Sequence, residues 1–250
     1  MNKFLESFFD FDAKKSEDLL YRAAPRFLME IMRKYFRLQV EGIENIPKRG
    51  PALITPNHSG YAGFDAMMLA YEIHERTQRT SRVLTHKFWF LTDATAIPAH
   101  KFGFLEATLS NGITQLKKNN LVVIFPEGEQ GNFKPTSKAY ELQEFRRGFV
   151  RMALQTGAPI VPTIILGAEE THINLKQIRL TKFLRGSILP LPLNVIPLPV
   201  KWKIIFLKPI YLPYKPASAR DSKLVHEIAG EIREQVQSAI AKEMKNRQLF

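Results

Sequence analysis

The apolar positions of this chain change period repeatedly, and each change predicts an element. Residues 4–11, with Phe4, Leu5, Phe8, Phe9 and Phe11, and residues 16–36 repeat at helical spacing, with Pro25 starting a second helix or kinking the first. Phe36–Val40 alternates as a strand and runs into the turn-rich "EGIENIPKRGP". Beyond it, "ALITP" reads as a strand, followed by a glycine-bearing loop and a helix over about Ala66–Thr77. "RVLTHKFWF" predicts another strand, "NGITQLKKNN" a short helix, and "LVVIFPEG" a buried parallel strand with its turn. "EFRRGFVRMALQTGAP" is an amphipathic helix ended by Gly157, and "IVPTIILGAEE" and "WKIIFLKPIYL" are strands. A last helix starts near Asp221, with Ser218 and Asp221 as a capping box and Leu224, Ile228, Ile232, Val236 and Ile240 on its buried face. Strands alternating with helices predict an α/β fold: a mixed, largely parallel sheet flanked by helices, behind an N-terminal helical segment.

Composition narrows the function. At 250 residues, 45% apolar and 24% charged, the chain can build one large core. It has no cysteine, which excludes a disulfide scaffold, a thiolate zinc site and a cysteine nucleophile. No stretch reaches the roughly 20 apolar residues of a membrane span. The opening "MNKFLESFFDFDAKK" mixes acidic residues with aromatics, unlike a signal peptide, so a cytoplasmic protein is expected.

The net charge of +12 is uneven: Thr171–Arg220 holds no Asp or Glu but nine basic residues, namely Lys176, Arg179, Lys182, Arg185, Lys201, Lys203, Lys208, Lys215 and Arg220. Within it, "GSILPLPLNVIPLPVKW" is almost wholly apolar, and its prolines rule out a regular helix and disfavour a central strand. An apolar loop ringed by cations suits a surface that dips into an anionic bilayer, each Lys or Arg contributing about 1 kcal/mol; the alternative is a loop folded on the protein's own core with a solvated basic face. Nucleic acid is not expected as a partner, since no zinc-finger spacing, RNP-like stretch or basic zipper occurs.

Candidate chemistry falls just after three predicted strands: His58, Glu127, and the group Glu169, Glu170 and His172. Ligands of open α/β sheets bind at such carboxyl ends, so the first two at least could share a cleft. In "NHSGYAGFD", a loop with Gly60 and Gly63 could fold Asp65 back onto His58, giving a base and the carboxylate that fixes its tautomer. Equally, Asp65 could cap the helix it opens and His58 be an ordinary loop histidine. "HERTQ" and "HEIAG" lack the second His of a zincin helix, and no Gly-x-Ser-x-Gly elbow, Walker loop or Gly-x-Gly-x-x-Gly occurs. Arg146 and Arg147 could clamp a phosphate or could be solvated.

"NHSGYAGFDAMM", "LVVIFPEGEQG", "FRRGFVRMALQTGAPIVPTI" and "KWKIIFLKPI", in this order and at these separations, resemble the glycerolipid acyltransferase superfamily, typified by 1-acylglycerol-3-phosphate acyltransferases; the similarity covers about residues 36–212. The resemblance implies a fatty-acyl thioester donor (acyl-CoA or acyl carrier protein), a lipid-alcohol acceptor and no metal or other cofactor. It implies His58 as general base, Asp65 as its partner, and Asn57, Pro126, Glu127 and Gly128 as substrate-binding residues, with Val161-Pro162 in the core of the site. The chain then divides into a membrane-associating helical segment, 1–35, and an α/β acyltransferase domain, 36–250, which includes the basic apolar stretch 171–220 and the last helix. The first motif departs from the family's His-x4-Asp: Asp65 falls two positions late, after Gly63. Phe125–Gly128 continues as Glu129-Gln130, without the family's phosphate-binding arginine, and "FGFLEATLSNG" has none either, so a phosphate would need Arg146, Arg147, Lys134 or Lys138 in their place. Longer spacing and a reduced second block resemble the branch acting on neutral acylglycerols. The expected function is O-acyl transfer to a lysophospholipid or lysophosphatidic acid, in phospholipid biosynthesis, at the inner face of the membrane. A mono- or diacylglycerol acceptor, a thioesterase or lipase, and a non-catalytic membrane binder are the alternatives.

Overall fold

A computed structural model describes residues 24–59, 63–179, 188–194 and 196–248. The expected helix over residues 4–11 and the basic residues Lys182 and Arg185 lie outside the described residues. In chain order the elements are α1 (Ala24–Tyr35), β1 (Gln39–Glu41), β2 (Ala52–Pro56), α2 (Phe64–Thr77), β3 (Ser81–Thr85), α3 (Asp93–Lys101), β4 (Phe104–Glu106), α4 (Leu109–Lys117), β5 (Leu121–Ile124), α5 (Glu129–Asn132), α6 (Gly148–Thr156), β6 (Ile160–Leu166), α7 (Ala168–Thr171), β7 (Asn174–Arg179), β8 (Ile188–Pro192), β9 (Lys203–Phe206) and α8 (Ser222–Met244).

Seven strands form one sheet in the order β1-β9-β6-β2-β5-β3-β4. Pairs β6–β2, β2–β5, β5–β3 and β3–β4 are parallel, whereas β9 runs antiparallel to β6. The central strands are continuous apolar runs because both faces are covered: every residue of β2 and β6 is buried. One core packs α6 and α8 against one face through Phe149, Met152, Val225, Ile232 and Val236. The other packs α1 and α2 through Met29, Met32, Met68, Leu69 and Ile73, with Trp202 stacked on Phe36 at 4.6 Å. This topology sets the carboxyl ends of β6, β2 and β5 side by side.

Several boundaries differ from expectation. The strand of "RVLTHKFWF" stops at Thr85, where the His86 side chain accepts from Phe88 N–H and starts a 3-10 turn. The helix of "EFRRGFVRMALQTGAP" begins only at Gly148, leaving Arg146 and Arg147 before it. Asp221 caps α8 itself, accepting from Lys223 and Leu224 N–H, while Ser218 belongs to the preceding turn; Val225 rather than Leu224 is fully buried. The proline-rich stretch is not simply a loop: Pro190 and Pro192 sit in β8, paired only with β7 in a two-stranded ribbon, the edge position where a missing N–H is tolerated.

Helix α1 is held to α2 by a buried carboxylate. Glu72, 1% exposed at its side chain, takes Arg33 Nε at 3.1 Å and Arg76 Nε at 2.7 Å. Tyr71 also donates to Glu30 of α1. Trp202 ties this layer to α7, its Nε1–H donating to the Thr171 hydroxyl at 2.9 Å. Replacing Trp202 by Ala should cost about 3–5 kcal/mol, read from urea unfolding; a loss below about 1 kcal/mol would mean that the Phe36 layer repacks.

Candidate active site

The site starts where β2 ends. Asn57 is fully buried, accepts from Ile165 N–H at 2.7 Å through Oδ1 and donates to the Ile165 carbonyl at 3.0 Å. Its amide thus copies one more ladder pair and locks the chain leaving β2 onto β6. Asn57 was expected to touch substrate; with both ends on Ile165 and no exposed surface, it holds the loop instead.

The next residue is His58. Its Nδ1–H donates to Asp65 Oδ2 at 2.7 Å, although six residues intervene. Gly63, with φ 74°, turns the chain into α2 so that Asp65 lies in the first helical turn and points back to the loop. Asp65 is fully buried; Oδ2 also accepts from Ser59 N–H at 3.0 Å, and Oδ1 from Ala66 N–H at 2.8 Å. The helix N-terminus favours the negative charge there. Of the two sequence readings of this aspartate, the contact with His58 is the one present, and the helix cap position belongs to Gly63. Phe125 lies against the imidazole at 4.1 Å between ring centroids, fixing its plane, and the histidine side chain is 16% exposed.

Glu127, after β5, is buried, and its carboxylate is occupied by protein groups. Oε1 accepts from His58 N–H at 2.9 Å and Oε2 from Gln143 N–H at 2.8 Å. It was expected in the acceptor pocket; it clamps the His58 backbone to the segment ahead of α6 instead. Pro126 is buried too, its carbonyl accepting from Arg146 N–H at 2.8 Å. Lys134 stands between two carboxylates, 3.6 Å from Glu127 Oε2 and 3.0 Å from Glu169 Oε1, and donates to the Glu141 carbonyl at 3.1 Å. The clusters after β2, β5 and β6 are therefore joined in one chain of contacts, His58–Glu127–Lys134–Glu169.

Two of the expected binding residues reach the surface together. Gly128 has φ 60° and ψ −147°, a conformation only glycine adopts readily, and a side chain there would stand 2.9 Å from the Arg146 guanidinium carbon. Arg146 is exposed and lies across this turn, with no side-chain ion pair among the described residues. Arg147 points elsewhere, pairing with Glu144 at 3.5 Å. Glu129, which follows this turn, lies 2.9 Å from His86 Nε2. Sequence reasoning missed Gln143, named Glu169 without a role, and named Lys134 only as a cation that could meet a phosphate and Phe125 only as part of the Phe125–Gly128 block. Glu169 had a readable signal, its place just past a buried strand; the burial of Lys134 between two carboxylates had none.

The Acyltransferase family model matches residues 37–166, and the chain belongs to that family. A protein of Mycobacterium leprae that carries no assigned activity is 36% identical over 227 residues, 86% of this chain and 62% of its own length. The human DGAT1/2-independent enzyme synthesizing storage lipids is 26% identical over 208 residues, again 62% of its own length, so the chain spans only part of these relatives. The solved structure of PlsC, the 1-acyl-sn-glycerophosphate (LPA) acyltransferase of Thermotoga maritima, matches 99% of this chain and 88% of its own at a TM-score of 0.58 and 17% identity, and shares the fold.

Burial pushes the Glu169 carboxyl up to about 7, against the pull of Lys134 and the Tyr140 N–H. Its folded-state value thus lies above the ordinary 4.5, so its stabilising share is complete below pH 4.5 and is lost as pH rises to about 7. Glu169→Gln cannot ionise. In thermal melts, the stability of this variant relative to wild type should therefore rise between pH 4.5 and 7; a constant difference across that window would show that Glu169 ionises normally.

Proposed function

We propose that the protein moves a fatty acyl group from a thioester, acyl-CoA or an acylated carrier protein, to the hydroxyl of a lipid alcohol, with His58 as general base. The observation that carries this reading is the 2.7 Å contact between His58 Nδ1 and the buried Asp65. A carboxylate on Nδ1–H leaves the lone pair of a neutral ring on Nε2. That nitrogen takes the proton of the acceptor hydroxyl as its oxygen attacks the thioester carbonyl. The tetrahedral intermediate collapses with loss of the thiolate, which recovers the proton from the imidazolium. Asp65 stabilises that imidazolium as it forms and does not itself become protonated. Backbone N–H groups serve as the oxyanion donors. Arg146, across Gly128, is the cation available to meet a phosphate of the donor or of a lysophospholipid or lysophosphatidate acceptor. Membership of the acyltransferase family and the fold shared with PlsC support the reaction class.

The protein works on a lipid surface as a peripheral enzyme. Among the described residues no helix is long and apolar enough to cross a membrane. Helix α1 presents Phe27, Leu28, Ile31 and Tyr35 outward, and the Tyr35 hydroxyl donates to the Pro197 carbonyl at 2.7 Å. This joins the helix to the proline-rich stretch, where Leu193 and Ile196 are exposed at 66% and 80%. The exposed apolar residues of α1 and of the proline-rich stretch are thus neighbours, which supports a single apolar docking face. Lys203, expected among its cations, is committed instead to Glu41 and Glu243 at 3.0 and 2.7 Å.

His58→Ala should lower kcat for acyl transfer roughly 10²–10⁴-fold with vesicle binding intact; unchanged kcat would refute the base. Absence of thiol release by wild type with any acceptor would refute the reaction, and release that no lipid alcohol captures would make the protein a hydrolase. The double change Phe27→Glu and Ile196→Glu should abolish co-sedimentation with anionic vesicles; full retention would refute the docking face.

A further inference from the structure

Lys134 is enclosed by protein, with 3% of its side chain exposed. Three oxygens surround its Nζ: the Glu141 carbonyl, which accepts from it at 3.1 Å, Glu169 Oε1 at 3.0 Å and Glu127 Oε2 at 3.6 Å. An ammonium group has three donors, so this set occupies it and leaves no open side for a substrate phosphate. Its role is internal.

The same three side chains hold one strap of backbone. Glu169 accepts from Tyr140 N–H at 2.8 Å, Lys134 donates to the carbonyl of the next residue, Glu141, and Glu127 accepts from Gln143 N–H at 2.8 Å. The other oxygen of Glu127 accepts from His58 N–H at 2.9 Å. Glu127 is thus the joint between strap and base, and Lys134 is the cation beside it. Without that cation two buried carboxylates would face each other, which like charge and desolvation both disfavour. Burial pushes the Glu169 carboxyl up to about 7 and Glu127 adds to the rise, as fits one cation shared by two acids.

His58 is fixed at two ends, its ring by Asp65 and its backbone by Glu127. A displacement of about 1 Å at a reacting group can cost about 10²-fold in rate. We propose that Lys134 is a positioning residue for the base: it keeps Glu127 as the acceptor of the His58 N–H and so sets where Nε2 meets the acceptor hydroxyl. The inference rests on the acyl-transfer reading and gives it a residue outside the His58–Asp65 pair, one that never touches substrate.

Lys134→Met should lower kcat roughly 10–100-fold and change the KM for the acceptor by less than about threefold, the split expected of a misplaced base rather than a lost substrate contact. Adding Glu169→Gln removes the second carboxylate and should recover at least about threefold in kcat, as expected of coupled neighbours. Should Lys134→Met fail to melt cooperatively by circular dichroism, the double variant is compared with Glu169→Gln alone, and a fall in kcat at constant KM is again expected. Amide hydrogen exchange reads the joint without turnover: the His58 N–H should exchange at least about tenfold faster in the lysine variant, with Val123 of the central strand β5 unchanged. Unchanged kcat, a loss confined to KM, no recovery in the double variant, or unchanged exchange at His58 would each overturn the proposal. Faster exchange at His58 in a protein whose wild type transfers no acyl group would refute the reaction and leave the joint standing.

Discussion

The site depends on one buried carboxylate. Asp65 has no exposed surface and accepts three hydrogen bonds, from His58 Nδ1–H, Ser59 N–H and Ala66 N–H. Removing a carboxylate from water costs several kcal/mol, and hydrogen bonds to a charged group return roughly 1.5–3 kcal/mol each. With the helix N-terminus adding a favourable field, three such bonds suffice to keep the charge in place. The same bonds fix the tautomer and plane of the histidine. Stability and chemical competence at this point are one feature, because the contacts that make the buried charge tolerable are those that aim the imidazole.

A second buried system supports the first from below. Glu127 receives the His58 backbone N–H, and Lys134 relays its charge to Glu169 on the far side of β2. Three loops leaving three adjacent parallel strands are thereby held in one register. The sheet order β6-β2-β5 makes this possible, since no sequence neighbourhood brings these residues together. Helix α1 reaches the same machinery by another route: Glu72, its anchor, lies two helical turns along α2 from Asp65. Helix α1 is therefore mechanically continuous with the helix that carries Asp65.

The strand pattern and the positions of His58, Asp65 and Glu127 were legible because continuous apolar runs followed by glycine-bearing loops have few structural solutions. The extended spacing between His58 and Asp65 was legible as a departure but not as a geometry; the turn at Gly63 decides it. Glu127 was read as a pocket residue because its type and place are those of a ligand-binding carboxylate, and its saturation by two backbone N–H groups follows from partners distant in sequence. Arg146 and Arg147 are equivalent in one dimension, and only the packing of Gly128 separates them. Lys134 was legible as a cation near the site but not as a buried one: it is one of 36 Lys and Arg residues, and its burial is set by Glu127, before α5, and Glu169, after β6. The prolines of β8 misled because a two-stranded ribbon forgives what a central strand does not.

Everything at the site turns on Asp65 holding His58 with its proton on Nδ1 and its lone pair on Nε2. Imidazole ¹⁵N NMR of the neutral ring tests it directly. The wild type should show His58 as the Nδ1–H tautomer, and Asp65→Ala should release it to the Nε2–H form that free histidine favours. An Nε2–H ring in the wild type, or an Nδ1–H ring indifferent to the loss of Asp65, would contradict it.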